Sequence, residues 1–192
     1  MLILASASPR RRELLAQAGF TFEVRPAHVN EDPKPGEDAI AYVTRLAREK
    51  AQAVFDAAGD AGAVVLGADT TVEVDRQILA KPESAADAER MLRLLSGRTH
   101  RVMTGVAVVT KDRAEVAAEV TGVRFVTLSD AEIAAYVATG EPMDKAGAYA
   151  IQGRAGRWIP RVEGCYFNVV GLPLALVTTM LESVQAATAQ AE

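Results

Sequence analysis

The chain opens on a short apolar run, Leu2-Ile3-Leu4, that passes almost at once into Ser6-Ala7-Ser8-Pro9-Arg10-Arg11-Arg12. Such a segment has few ways to fold. The apolar run reads as a buried strand. Ser8 before Pro9 reads as an N-cap with proline at the first helical position, leading into Arg11 to Leu15 and closing near Gly19. A strand feeding a helix N-terminus is an anion site by construction, because unpaired N–H groups and the positive dipole end face the same point. Consecutive arginines in that first turn oppose the dipole, which favours acids there, and an outside anion relieves the conflict. Taken alone, the triplet is equally well a solvated basic helix start.

The same alternation continues along the chain. Glu37 to Phe55 carries a helical period, with Ile40, Val43, Leu46, Ala47, Ala51 and Val54 on one stripe. Ala63 to Asp69 is an apolar run ending in a carboxylate. Val72 to Val74 and Ile78-Leu79 flank Asp75-Arg76-Gln77 as a hairpin. Ser84 to Leu95 is a helix stopped by Gly97, and Ser129-Asp130-Ala131-Glu132 is a capping box opening another through Val137. Between them, Arg101 to Thr110 and Glu115 to Leu128 are valine-rich and predict neighbouring strands joined at Lys111-Asp112-Arg113. A last helix starts near Pro173, and a frayed tail is expected from Gln185 to Glu192. With no internal repeat or low-complexity linker, the class is α/β with a mixed sheet, expected as one domain over residues 1–192.

A formal charge of −4 and a pI near 5.3 argue against a general nucleic-acid binder, so any anion must be held by a local cluster. No stretch approaches a membrane span and the N-terminus lacks a secretory pattern, which predicts a cytoplasmic protein with no membrane partner. Cys165 is the only cysteine, and His28 and His100 are the only histidines. An intrachain disulfide is therefore impossible, and a Cys/His zinc site is disfavoured. A metal would have to ride on carboxylates and substrate oxygens, which favours Mg²⁺ or Mn²⁺.

The common phosphate-loop, dinucleotide and hydrolase-elbow signatures are absent. What remains is a scatter of acids and cations at segment ends. Asp69, in Gly67-Ala68-Asp69-Thr70, sits where an apolar strand emerges, so it is a general base, a metal ligand or a turn-starting acid. Lys81-Pro82 is a phosphate contact or a surface cation. Lys50 is expected off the apolar stripe and solvated. Glu31, in Asn30-Glu31-Asp32-Pro33, reads as a loop acid, and Asp144-Lys145 with Gln152 completes the set.

Taken together these stretches resemble the Maf family of nucleoside triphosphate pyrophosphatases. The resemblance rests on Ala5-Ser6-Ala7-Ser8-Pro9-Arg10-Arg11, Gly67-Ala68-Asp69-Thr70, Lys81-Pro82, Ser96-Gly97-Arg98-Thr99-His100, the run from Gly140 to Tyr149, Ile151-Gln152-Gly153 and Val169 to Leu174. These stretches follow the family's order nearly end to end. The resemblance implies a mixed twisted sheet with flanking helices and two lobes around a cleft, like that of inosine triphosphate pyrophosphatases. It also implies hydrolysis of a nucleoside triphosphate to monophosphate and pyrophosphate with a divalent cation.

Carried over residue by residue, Asp69 looks like the proton acceptor, Glu31 with Asp69 like the metal carboxylates, and Arg11, Lys50 and Lys81 like the cations that neutralise the leaving group. Ser6, Ser8, Arg10 and Lys145 look like substrate contacts. Pro9-Arg10, Thr70 and Ile151-Gln152-Gly153 resemble the subgroup that prefers dTTP and UTP; the Gln152 amide, donor and acceptor at once, suits the paired N3–H and O4 of thymine or uracil. A 7-methyl-GTP-type enzyme and a non-catalytic nucleotide-binding regulator of septum formation are the alternatives. A homodimer is common among similar proteins. Cys165 stands where the family pattern suggests serine, and Thr71-Val72-Glu73 is more acidic than that pattern.

Overall fold

In the computed structural model, which describes residues 1–189, the chain alternates strands and helices as the sequence predicts. β1 (Leu2–Leu4) leads into α1 (Pro9–Gln17), whose N-cap Ser8 accepts from the Arg11 N–H, and then into β2 (Glu23–Val24). Next come α2 (Ala39–Ala58), β3 (Val64–Val74), β4 (Gln77–Leu79), α3 (Ala85–Leu95), β5 (Thr99–Val109) and β6 (Ala114–Arg124). α4 (Asp130–Val137), 3-10 turns over Glu141–Asp144, Ala146–Ala148 and Arg154–Trp158, β7 (Arg161–Glu163), α5 (Tyr166–Val170) and α6 (Leu174–Ala189) complete it. The sheet runs β2-β1-β3-β5-β6-β7, with β4 paired to β3. It is mixed: β1 pairs parallel with β2 and β3, whereas β3/β4 and β6/β7 are antiparallel.

The chain forms two compact units. The first comprises Met1–Asp69, Thr104–Glu119 and the segment from Gly171 onward; the second comprises Thr70–Met103 and Val120–Val170. In the first unit Ile3, Ala47, Ala51, Val65 and Ala107 are fully buried together. Each large side chain so enclosed contributes roughly 1.5–3 kcal/mol. In the second, Leu92, Leu95, Phe125, Ile133, Tyr136 and Trp158 form a separate core, with Tyr136 and Trp158 rings edge-to-face at 5.1 Å.

Several expectations need correction, among them the strand expected to run to Leu128, which ends at Arg124. β3 does not end at Asp69 but continues through Val74, so the carboxylate lies in mid-strand. The hairpin turn is the pair Asp75-Arg76, both at positive φ (51° and 63°), while Gln77 already pairs with Val74. Ile40 is 42% exposed and does not join the buried stripe of α2. α6 continues through Ala189, past the expected fraying point at Gln185, and 190–192 of that tail lie outside the described residues.

Candidate active site

Two glycines set the position of α2. A Cβ at Gly67 on β3 would stand 2.2 Å from the Ala47 carbonyl oxygen, and one at Gly105 on β5 would stand 2.3 Å from that of Val43. The helix backbone can lie on these strands only because no side chain intervenes. Residues two apart on a strand share a face, so Asp69 points to the side that Gly67 opens to α2. Residues three apart share a helix face, so Lys50 follows Ala47 onto the sheet-facing stripe. The lysine expected to be solvated is thus 8% exposed, and Asp69 equally so. Lys50 Nζ donates to Asp69 Oδ1 at 2.6 Å and lies 2.6 Å from Glu31 Oε1. Two carboxylates from distant segments therefore converge on one ammonium.

Arg11 stands at the same spot. Its Nε donates to the Gly171 carbonyl at 2.8 Å and its Nη1 to Ser6 Oγ at 3.3 Å, while the Ser8 N–H donates to Ser6 Oγ at 3.2 Å. Burial holds the Arg11 guanidinium below the ordinary arginine value; the Asp69 and Glu31 carboxylates pull it back up, and neighbouring Arg10 adds to the lowering. Ser6 is 6% exposed, and Arg10 is half-buried. The opening motif thus gathers Ser6, Ser8 and Arg11, and the Arg11 charge interacts with the Asp69 and Glu31 carboxylates.

Glu31 is tied down by residues that the sequence did not single out. The Tyr42 hydroxyl donates to the Glu31 carbonyl at 2.9 Å, and Arg45 Nη2 to the Asp32 carbonyl at 3.2 Å. Burial, together with the nearby Asp69 and Glu31 charges, pushes the Tyr42 phenol up to about 12. Arg45 is in turn locked to Glu37 at 2.6 Å, and that hydrogen bond holds the Glu37 carboxyl down to about 2. Tyr42 and Arg45 lie one turn apart on α2. The only sequence signal for them was polar residues at helical spacing beside the apolar stripe.

In the second unit Lys81 is exposed in the link between β4 and α3, and Thr70 follows Asp69 on β3. Lys145 Nζ donates to the Glu141 carbonyl at 2.7 Å and to Asp144 Oδ1 at 2.5 Å. Gln152 is exposed on a turn closed by the Gly153 N–H donating to the Ala150 carbonyl at 3.1 Å. Cys165 is half-buried, its backbone N–H and carbonyl both bonded to Thr121 Oγ1 at 3.1 Å. The acidic departure at Glu73 is a buried carboxylate paired with Arg101 at 2.6 Å.

A family model described as Maf-like protein matches residues 1–184. The chain belongs to the Maf family. Curated relatives agree with it over nearly their whole length. A protein of Koribacter versatilis (strain Ellin345) is 55% identical over 94% of this chain and 92% of its own. One of Geobacter sp. (strain M21) is 52% identical over 96% of each, and one of Moorella thermoacetica 53% identical over 94% and 93%. All three are named dTTP/UTP pyrophosphatase. The solved structure of the Staphylococcus aureus Ham1 protein is similar with a TM-score of 0.50 at 15% identity, covering 95% of this chain and 98% of that one, a likeness of fold. Among the described residues of this Maf protein no helix is long and apolar enough to cross a membrane.

Proposed function

We propose that this Maf protein hydrolyses dTTP and UTP to the monophosphate and pyrophosphate, with Asp69 as the base. The observation that carries the reading is the placement of Asp69: a nearly buried carboxylate held at 2.6 Å by Lys50 and interacting electrostatically with Arg11, a residue in the first turn of a helix whose N-terminus suits phosphate. Relatives above 50% identity bearing the dTTP/UTP name support the substrate class.

In this scheme Asp69 takes a proton from water as the water oxygen bonds to the α-phosphorus. The bond from that phosphorus to the α,β-bridging oxygen breaks, and its electron pair leaves with pyrophosphate. Lys50 orients Asp69 through its 2.6 Å bond to Oδ1. Arg11, oriented by Gly171 and Ser6, places its positive charge where phosphate oxygens would lie, with Ser8, Arg10, Lys81 and Lys145 as further contacts. Thr70 and Gln152 are assigned to recognition of the nucleobase.

A divalent cation fits this donor set. Glu31 and Asp69 already converge on one positive charge, and both are hard oxygen ligands of the kind Mg²⁺ takes when phosphates and waters supply the rest. When bound, Mg²⁺ or Mn²⁺ would neutralise charge developing on the phosphates. We place the enzyme in the cytoplasm, where these triphosphates are made.

The test is a panel of dTTP, UTP, dCTP and 7-methyl-GTP with Mg²⁺ or Mn²⁺, scored separately for pyrophosphate and orthophosphate. Pyrophosphate from dTTP and UTP is expected. Orthophosphate as first product, or a preference for the methylated purine, contradicts the assignment.

A further inference from the structure

We propose that Glu141 is a positioning residue for base selection, holding the turn that carries Gln152 in place through Tyr136. The inference rests on the assignment of Gln152 to the base.

Ala150 to Gly153 form a turn with Gln152 near its tip, and both flanks of that turn are bonded to one small network. On one side the Ala150 N–H donates to the Tyr136 hydroxyl at 3.2 Å, and that hydroxyl donates to Glu141 Oε1 at 2.8 Å. On the other, the Arg154 N–H donates to the same Oε1 at 3.0 Å. A single carboxylate oxygen thus ties together the backbone before and after Gln152. Tyr136 is 2% exposed on α4 and packed edge-on against Trp158, so its hydroxyl is a fixed post. Burial, then the bond to Glu141, raises its phenol well above the ordinary value, so it remains a neutral donor.

Gly153 shows how closely the carboxylate fits. A Cβ there would lie 2.1 Å from Glu141 Oε1. The φ of −98° at Gly153 is not the left-handed backbone that favours glycine, so the close carboxylate is the contact that a side chain there would meet. Glu141 also fixes Lys145, whose ammonium donates to the Glu141 carbonyl at 2.7 Å. One residue therefore places a proposed phosphate contact with its backbone and the proposed base contact with its side chain. Gln152 itself is exposed, and an exposed amide reads a base edge only if the turn beneath it is rigid.

The experiment compares kcat/KM for UTP and N3-methyl-UTP, which differ at the N3–H that Gln152 would read, together with thermal melting. Gln152→Ala should cut the preference for UTP about tenfold, the worth of one net hydrogen bond. Glu141→Ala, Tyr136→Phe and Gly153→Ala should reproduce most of that loss, mainly through KM for UTP. Glu141→Gln, which keeps an acceptor oxygen, should retain the preference. If Gln152→Ala lowers the preference while Glu141→Ala and Gly153→Ala only lower the melting temperature, the inference is wrong and the Gln152 assignment stands. If Gln152→Ala leaves the preference intact, the assignment beneath it falls, and the inference with it.

Discussion

The contact that brings Lys50 to Asp69 should be breakable with one methyl group placed outside the site. Gly67→Ala puts a Cβ 2.2 Å from the Ala47 carbonyl oxygen and 2.9 Å from the Ala51 nitrogen. A carbon in relaxed contact with a carbonyl oxygen needs about 3.3 Å, so α2 must retreat by roughly 1 Å. The obstacle is helix backbone, which no rotamer change can move aside. The cost should therefore lie near the top of the overpacking range, about 3 kcal/mol, or roughly 10 °C in melting temperature for a chain of this size. Lys50 rides on the displaced helix and Asp69 does not, so their 2.6 Å bond must lengthen. A displacement of that size at a catalytic group costs about a hundredfold in rate. Gly62→Ala is the control, because its Cβ would meet Asp60 Oδ1 at an ordinary 3.4 Å. Calorimetry and dTTP turnover well below the melting temperature measure both effects. A Gly67→Ala protein that melts with the parent and keeps its kcat/KM would refute the reasoning.

Two further outcomes follow from buried charge. Lys50→Met removes the ammonium between Asp69 and Glu31 and should cost about 3 kcal/mol in urea unfolding; adding Asp69→Asn should recover part of that loss, whereas strictly additive effects would deny the coupling. Burial holds His100 down to about 3 from 6.5, with its Nε2 2.8 Å from the Tyr149 hydroxyl. Between those pH values the unfolded imidazole binds a proton that the folded one refuses, so stability should fall as pH drops from 6.5 toward 3, by at most about 1.4 kcal/mol per pH unit. His100→Gln should flatten that slope in acid titrations followed by circular dichroism; an unchanged slope would place the titration elsewhere.

Local signals in the sequence were reliable where chemistry is local. Ser8-Pro9 gave the start of α1, and Ser129 with Glu132 gave that of α4, because a cap is satisfied within four residues of chain. The misread positions depend on a partner far along the chain. Lys50 looked solvated because a lysine beside an apolar stripe normally is; only Gly67, seventeen positions later, turns that face of α2 onto a carboxylate. Asp69 looked like a strand end because an acid in mid-strand is costly, and the cost is offset by Lys50 and Arg11. Tyr42, Arg45 and Glu141 were not singled out because each holds backbone elsewhere in place, a task that leaves no mark in local sequence beyond a polar residue at helical spacing or in a motif. Family resemblance supplied the list of site residues; geometry supplied the reasons that Ser6, Arg11, Glu31, Lys50 and Asp69 meet.

The most direct test of the account is single-turnover release of pyrophosphate from dTTP by Asp69→Asn, beside dTTP binding by the same protein. The amide keeps the shape and can still accept from Lys50 but cannot take a proton from water. Release should fall by at least about a hundredfold with the dissociation constant changed only severalfold. Release at the parent rate would contradict the assignment of Asp69 as the base.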